Sequence, residues 1–237
     1  MVHKNIIILA NSRRHDGHCI AGKDLSTGEW IRPINILGRG KPRLDQSAFS
    51  GEDFIALNVA KSGPQLLDCV RISFGDPCGD YCQPENISID GKPWTPLPPF
   101  IPRKVFGLID DFTTLFIGKD DQNSDHYSAE EIQASPLKSS LNFIRLTHSI
   151  NKTEIVHTTS IKGNPQHRLK FEYDSRTYNL AITDKGYENT ISQSKNEDGK
   201  IIDDCFITIG VGEGFPIGNA VYHYRLIVGI IPTITLR

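Results

Sequence analysis

The residues best suited to chemistry lie close together, in positions 11–23, directly after an apolar run. Two arginines, two histidines, a cysteine and a lysine fall within this segment: Arg13, Arg14, His15, His18, Cys19 and Lys23. A guanidinium is planar and matches phosphate through paired hydrogen bonds, whereas an ammonium acts as a point charge. Gly17 and Gly22 allow the backbone to turn or to approach a ligand closely. The segment therefore predicts an anion-binding site, with a solvated basic loop as the plainer alternative.

A second basic and aromatic motif, Trp30-Ile31-Arg32-Pro33, follows at once. Side chains alternate across a strand, so Trp30 and Arg32 should share one face and Ile31 the other. A ring beside a guanidinium suits base stacking combined with phosphate contact. The alternative is that Trp30 belongs to the core.

A polar cluster around Gln83, Glu85 and Asn86 could supply hydrogen bonds to a base. Amide side chains read base edges, and a carboxylate accepts from an exocyclic amine. The motif Pro84-Glu85-Asn86 is equally typical of an ordinary turn. Both interpretations stay open.

A catalytic role would place His15 or His18 as acid and base, with Cys19 or Glu85 in support, because histidine titrates near neutrality. No nucleophile-elbow motif is present, and catalytic residues stay unknown. Convergence of His15, Cys19 and Glu85 in one closed pocket would favour an enzyme. Scatter over an open face would favour a binding module.

No metal site or cofactor is expected. Cys78 and Cys82 are spaced more widely than a paired zinc motif, and no second pair accompanies them. Because the five cysteines are odd in number and follow no secretion signal, the sequence predicts reduced thiols and a cytoplasmic location.

Late in the chain, the motif Tyr222-His223-Tyr224-Arg225 should place both tyrosines on one face of a strand. Half-buried tyrosines usually pack against neighbours, and that interpretation is preferred to ligand stacking. The stretch Gly210–Gly214 lacks the Lys-Ser/Thr ending of a phosphate loop and predicts a glycine-rich hairpin loop instead.

The elements that must position these residues are mostly strands. Segments rich in Val, Ile, Thr and aromatic residues predict strands at 4–10, 29–36, 54–60, 66–74, 154–160, 168–174, 177–183, 205–209 and 223–231. Residues 174–176 indicate a hairpin turn. Helices are expected only at 107–116 and 128–139, the second from the capping-box pair Ser128 and Glu131. Five of the 14 prolines lie in 93–102 and predict a connector.

The length and charge of the chain limit the architectures and the partners that it can have. The 237 residues suit one large or two modest domains, with a boundary expected near residue 139. The net charge of −2 combines +4 in residues 1–45, −7 in 46–140 and +1 in the remainder. A basic opening segment can meet an anion at one face, but a nearly neutral chain argues against indiscriminate DNA coating. The apolar run at 6–10 is too short to span a bilayer, so no membrane partner is expected.

Across almost its whole length the chain resembles the prokaryotic family of dual OB-containing domain proteins. The resemblance lies in Ala10-Asn11-Ser12-Arg13, Cys19-Ile20-Ala21-Gly22-Lys23, Trp30-Ile31-Arg32-Pro33, Gln83-Pro84-Glu85-Asn86, residues 178–184 and residues 224–231. It implies two OB-like barrels and binding of nucleic acid or nucleotides, within a prokaryotic defence system.

The sequence thus predicts a mainly β protein of two small OB-like barrels in tandem, with one or two short helices. Domains are expected at 1–139, with a helical and proline-rich extension, and at 140–237. The expected function is binding of single-stranded nucleic acid or a nucleotide-like ligand. The expected ligand-binding residues are Arg13, Arg14, His15, His18, Lys23, Trp30, Arg32, Gln83, Glu85 and Asn86. The alternatives are an enzyme acting on a nucleotide or nucleic acid, and a scaffold or sensor with a protein partner.

Overall fold

The computed structural model describes residues 2–14, 17–35, 48–110, 125–160, 163–192 and 202–233. It divides the chain into two compact units, Met1–Leu108 and Ile109–Arg237, called unit 1 and unit 2 below. The boundary expected from the sequence, near Ser139, lies inside unit 2. The reason is that a short strand before it, His126–Ser128, pairs with the last strand of the chain.

Unit 1 is a closed five-stranded barrel with a short sixth strand. Its strands are β1 (Val2–Arg14), β2 (Gly17–Asp24), β3 (Trp30–Ile34), β4 (Cys69–Pro77), β5 (Asn86–Ile89) and β6 (Thr95–Pro96). The order is β1-β2-β3-β5-β4, and pairing of β4 with β1 closes the barrel. Strands β3 and β5 run parallel. Helix α1 (Gly51–Ala56) lies between β3 and β4, and a 3₁₀ helix (Pro102–Leu108) ends the unit.

Strand β1 closes the barrel because it pairs on both edges. Residues Val2 to Ile7 pair with β4, and Ile6 to Arg14 pair with β2. The register shifts by one residue at Leu9, a β-bulge that lets the strand bend. The apolar run at 6–10 is buried throughout, which is typical of a strand covered on both sides.

Helix α1 corrects the strand expected at 54–60. Ser50 accepts a hydrogen bond from the Asp53 backbone N–H, and the Asp53 carboxylate accepts from the Ser50 N–H. This capping box starts a helix. Phe54 then packs in the barrel core with the rings of Phe49 and Trp94, at centroid distances of 5.3 and 6.2 Å. The Phe and Ile content predicted a strand, but the cap determines the local structure.

Unit 2 is a seven-stranded sheet of related topology. Its strands are β7 (His126–Ser128), β8 (Leu141–Leu146), β9 (Glu154–Thr159), β10 (Pro165–Tyr173), β11 (Arg176–Ile182), β12 (Cys205–Ile217) and β13 (Ala220–Pro232). The order is β8-β12-β13-β11-β10-β9, with β7 added beside β13. Its helices are α2 (Ala129–Ala134), α3 (His148–Asn151) and α4 (Lys185–Ser192).

The two units repeat one plan. In unit 2, β8 pairs with β12 as the first half of β1 pairs with β4, and β9 pairs with β10 as the second half of β1 pairs with β2. Helix α3 separates β8 from β9, so two strands do what one bulged strand does in unit 1. Strands β11 and β13 run parallel, as β3 and β5 do. The predicted fold class is confirmed, with more short helices than the one or two expected.

Several local predictions are settled by these elements. The capping box of Ser128 and Glu131 opens α2 as predicted. The turn at Asp174 and Ser175 joins β10 to β11, with both residues at positive φ. The predicted hairpin loop at Gly210–Gly214 is wrong, because that stretch lies inside β12 and the turn falls later, at Gly218.

The predicted helix at 107–116 begins within the 3₁₀ helix, and its residues 111–116 lie outside the described residues. In the part of the chain that the structure describes, no helix is long and apolar enough to cross a membrane.

Candidate functional site

The outer surface of β2, β3 and β5 gathers most of the predicted site residues of unit 1; it is called the unit 1 face below. Ile31 is 1% exposed and packs in the core, whereas its neighbours Trp30 and Arg32 lie half-buried on the outside. Lys23 is directly opposite Trp30, and Asn86 is directly opposite Arg32. The alternation expected from the sequence therefore positions an aromatic ring between cationic and amide side chains.

Lys23 is almost completely buried on this face. Its Nζ donates a 2.7 Å hydrogen bond to the carbonyl oxygen of Leu108 and lies 5.3 Å from the centre of the Trp30 ring. A cation over an indole is an attractive contact, so Lys23 holds the ring in place. Its short contact to the end of the 3₁₀ helix leaves Lys23 better suited to orient Trp30 than to meet a phosphate.

Arg32 and Glu85 form an ion pair on the same face. The Arg32 Nη2 lies 3.1 Å from the Glu85 Oε1, and the Arg32 backbone N–H donates to the Glu85 carbonyl at 3.0 Å. The Glu85 side chain is 4% exposed and that of Arg32 13%. A buried carboxylate beside a guanidinium fixes its direction, so one edge of the Arg32 fork is occupied within the fold.

Asn86 and Gln83 are joined to each other. The Asn86 Nδ2 donates to the Gln83 Oε1 at 3.2 Å, and the Gln83 backbone N–H donates to the Asp80 Oδ1 at 2.8 Å. The Asn86 Oδ1 is buried and accepts no hydrogen bond from any residue that the structure describes. A buried amide oxygen left in this way is an acceptor that a ligand donor would satisfy.

Arg13 and Arg14 lie at the far end of the β1–β2 hairpin. Arg13 is exposed and Arg14 is half-buried, and Arg14 is opposite Gly17. Gly17 and Lys23 are six positions apart on β2, so the hairpin end that holds the two arginines lies roughly 20 Å along the strand from Trp30. His15 lies outside the described residues. The basic segment is therefore spread along one hairpin instead of forming a single cluster.

His18 has a structural position. Its Nδ1 is 2.8 Å from the Asn11 Oδ1, and its ring meets the Phe54 ring edge-on at 5.3 Å. Asn11 in turn donates to the Pro64 carbonyl at 2.9 Å. With only 6% of its surface exposed, His18 ties the hairpin end to the core.

The proposed acid–base residues are not brought into one pocket by the described part of the chain. His18 faces the core, Cys19 is half-buried on β2, and Glu85 pairs with Arg32 on the outer face. Neighbouring residues of a strand point to opposite faces, which separates His18 from Cys19. The remaining member of that set, His15, lies beyond what the structure describes.

The cysteines lie in apolar or acidic surroundings. Burial, with a nearby carboxylate, raises the pKa of the Cys69 and Cys78 thiols, and burial raises that of Cys205 to about 12. A raised pKa keeps a thiol protonated and unreactive at neutral pH. Within the described ranges, no group of three or more His, Cys, Asp or Glu side chains could hold a metal ion.

Sequence analysis missed the contact that buries Lys23. Leu108 is 85 positions away, and no local motif links the two residues. It also missed Asp80, whose carboxylate accepts from the Cys82 and Gln83 N–H groups and shapes the turn. The sequence signal for this turn is Asp80 itself, because an Asp side chain commonly accepts hydrogen bonds from the backbone N–H groups two or three residues later.

Comparison with known families gives the decisive observation. The family described as "Dual OB-containing domain" matches residues 4–230, nearly the entire chain. The chain belongs to the dual OB-containing domain family. The repeat of one barrel plan in both units is what that family description names.

Beyond the family match, this dual OB-containing chain shows only weak similarity to other proteins. No curated protein shows significant sequence similarity to it. Among solved structures it is similar to the tetrameric p202 HIN2, with 8% identity, 96% of this chain and 93% of the other covered, and a TM-score of 0.34. It is also similar to a murine DNA binding protein bound with double-stranded DNA, with 8% identity, coverages of 98% and 99%, and the same TM-score. A TM-score of 0.34 is too low for either structure to indicate what this dual OB-containing chain binds.

Proposed function

We propose that this chain binds single-stranded nucleic acid, or a nucleotide-like ligand, on the unit 1 face. The observation that carries the proposal is Trp30, whose half-exposed ring lies on the outside of a closed OB-type barrel. OB barrels commonly bind oligonucleotides on the face that contains strands 2 and 3, where aromatic rings stack on bases. Trp30 is on the third strand of this barrel, and Lys23 on the second holds its ring.

Phosphate contacts would come from the arginines. Arg13 is exposed at the end of the β1–β2 hairpin, and Arg32 is half-buried on the outer side of β3, where its guanidinium pairs with Glu85. The roughly 20 Å between the hairpin end and Trp30 suits a strand of several nucleotides, because one OB barrel covers about 4–16. Unit 1 as a whole has 13 basic and 11 acidic side chains, a net charge of +2, which favours an anionic ligand.

Base recognition would use the amide pair at the edge of the face. Asn86 is directly opposite Arg32, and its buried Oδ1 would accept from a base amine or imino group once the side chains that cover it move aside. Gln83 holds the other end of the Asn86 amide and fixes its orientation. The preference would therefore be for bases that present a donor.

The test is fluorescence anisotropy of a labelled single-stranded oligonucleotide titrated with the full chain over a salt series. We expect Trp30→Leu to weaken binding by roughly tenfold, because stacking on one ring contributes about 1–3 kcal/mol per base. Trp30→Phe should keep most of the affinity. Arg13→Ala/Arg14→Ala should weaken binding and reduce its salt dependence, since fewer phosphates are neutralised.

Arg71→Ala is the matched control. Arg71 is an exposed arginine of β4 in the same barrel, bonded to Asn5 of β1 and opposite Thr95 of β6, and it is none of the proposed site residues. Its loss removes one charge without touching the proposed site. A loss in Arg71→Ala equal, for each charge removed, to the loss in Arg13→Ala/Arg14→Ala would show only general electrostatic attraction. Unchanged affinity in Trp30→Leu, with circular dichroism intact, would refute the proposal.

The other functions considered from the sequence stay predictions. An enzyme needs His15 or His18 beside Cys19 or Glu85, and the described residues do not assemble that set. A protein scaffold and a place in a prokaryotic defence system depend on partners, and the first test for either is which molecules the chain retains.

A further inference from the structure

A second aromatic surface lies on unit 2 and shares no residue with the unit 1 face. Tyr222 and Tyr224 lie half-buried on the outer side of β13, while their neighbours His223 and Arg225 face inward and are only 1% and 5% exposed. The His126 ring lies against both tyrosines, at centroid distances of 4.9 and 5.4 Å. Together with Phe215, 6.4 Å from Tyr224, these rings are called the unit 2 ring face.

The sequence favoured ordinary packing for the two tyrosines, but the rings meet at the surface and not in the core. Phe215 is 36% exposed, and the His126 side chain is 38% exposed. Three strands fix their positions, because Tyr224 is opposite His126 on β7 and Tyr222 is opposite Phe215 on β12. Such a set forms a partly exposed group of aromatic rings on a support of three paired strands.

A polar network holds this surface in one geometry. His126 Nδ1 lies 3.1 Å from Asp125 Oδ1, and the other carboxylate oxygen of Asp125 accepts from Arg168. The Arg168 guanidinium also donates to Asn179 Oδ1 at 3.1 Å and to Gln166 Oε1 at 3.2 Å. Because these side chains are ordered in advance, a ligand that stacks on the rings loses little affinity to immobilising them.

We propose that the unit 2 ring face is a second site for single-stranded nucleic acid, which stacks its bases on Tyr222 and Tyr224. Through Asp125, the His126 ring is linked to the Arg168 guanidinium and to the amides that it contacts, and side chains of these types hydrogen-bond to base edges. Strand β13, which carries both tyrosines, is also the counterpart of β5, one of the strands of the unit 1 face. This proposal shares its ligand class with the proposed function but uses none of the residues of unit 1.

The charge of unit 2 specifies how this site would bind. Unit 2 has 13 basic and 17 acidic side chains, a net charge of −4, compared with +2 for unit 1. Phosphate neutralisation therefore contributes little, and affinity must come from stacking, which is tolerant of base identity. Binding at the unit 2 ring face should weaken much less with added salt than binding at unit 1.

The experiment counts sites on the full chain with an oligothymidylate of about six nucleotides, short enough to occupy one barrel. Calorimetry gives the number of oligonucleotides bound per chain. Tryptophan emission reports on unit 1 alone, because the chain's two tryptophans, Trp30 and Trp94, both lie there. Tyr222→Leu/Tyr224→Leu removes the rings and keeps apolar volume, and Tyr222→Phe/Tyr224→Phe keeps the rings.

We expect the wild type and the phenylalanine pair to bind two oligonucleotides per chain, and the leucine pair to bind one with tryptophan quenching unchanged. Two oligonucleotides on the folded leucine pair would overturn the proposal. So would a phenylalanine pair that loses as much binding as the leucine pair, because the hydroxyl groups would then be responsible. A changed oligomeric state of the leucine pair, with binding unaltered, would assign the rings to contact between copies and overturn it as well.

Failure of the unit 1 proposal gives a different result. If the wild type binds one oligonucleotide without tryptophan quenching, and the leucine pair binds none, unit 2 is the site and unit 1 is not. If one oligonucleotide binds and only Trp30→Leu abolishes it, unit 1 is the site and the unit 2 proposal is overturned.

Discussion

The charged side chains of the unit 1 face are held by partners within the fold. Lys23 donates to a backbone carbonyl, and Arg32 shares its guanidinium with Glu85. Both therefore act first on the shape of the face, by fixing Trp30 and the β3–β5 edge. Arg13 lies outside this face, exposed at the end of the β1–β2 hairpin. Whether a charged side chain can contact a ligand depends on where the fold places its charged group, and the residue type alone does not determine that position.

A buried carboxyl in unit 2 gives a prediction about pH. Burial raises the pKa of Asp184 from 3.8 to about 6, although the N–H groups of Tyr187, Ile230 and Gly186 oppose the shift. The folded state thus holds this proton more tightly than the unfolded state. The Asp184 contribution to the free energy of unfolding is therefore largest below about pH 4 and is lost as the pH rises to about 6, by roughly 3 kcal/mol.

Urea unfolding of wild type and Asp184→Asn between about pH 4 and pH 7 measures this contribution. Asparagine can still cap α4, so the variant should fold and lack the pH-dependent term. The difference between the two proteins isolates Asp184 from carboxyls such as Asp24 and Asp90. There, hydrogen bonds and nearby lysines outweigh burial and lower the pKa, so their stabilisation is lost as the pH falls. Parallel pH profiles would show that Asp184 titrates normally.

At the scale of elements, β1 and β2 determine whether the barrel closes. Strand β1 bends at Leu9 to pair with β4 on one edge and β2 on the other. Gly22 is opposite Ile8 beside this bulge, and a Cβ there would lie 2.0 Å from the Ile7 carbonyl oxygen and 2.7 Å from the Ile6 Cγ2. The backbone approach that lets β1 bend therefore requires glycine at this position.

We expect Gly22→Ala to lower the free energy of unfolding of unit 1 by at least about 2 kcal/mol, because backbone on both strands must shift. Gly107→Ala is the control, since a Cβ at Gly107 meets nothing within 4 Å. That control should stay within about 0.5 kcal/mol of wild type. Urea unfolding followed by tryptophan emission measures both. Equal stabilities of the two variants would show that the barrel accommodates the methyl group.

At the scale of the whole molecule, two units share one barrel plan and differ in charge and in how the plan is achieved. One bulged strand closes the barrel of unit 1, whereas in unit 2 the corresponding pairings are made by two strands, β8 and β9, at the two ends of the sheet. The core of unit 1 is formed by its own residues, from Ile6 on β1 to Trp94 before β6. A complete core and a closed sheet are what a domain of about 100 residues needs in order to fold alone.

Residues 1–108 expressed alone should therefore fold. We expect a β-type circular dichroism spectrum, a single cooperative urea transition and blue-shifted tryptophan emission, because Trp94 is 1% exposed in the barrel core. The full chain provides the reference spectrum. A fragment without a cooperative transition would mean that unit 1 depends on residues 109–237 for its stability.

The sequence by itself determined the strand-rich class and the side to which Trp30, Ile31 and Arg32 point, because local composition and the two-residue period of a strand are visible in any short window. The two-barrel plan was implied by the resemblance of motifs along the whole chain to the dual OB-containing domain family. The capping box at Ser128 and the turn at Asp174 were readable for the same reason.

Only the tertiary structure decided which distant partners hold the basic residues and where the second aromatic surface lies. Lys23 is paired with a carbonyl 85 positions away, Arg32 with a carboxylate 53 positions away, and His126 with tyrosines from the other end of unit 2. Partners at such distances are set by strand order and register. No local pattern contains that information, because the same alternating strand can pair in many ways until the sheet is complete.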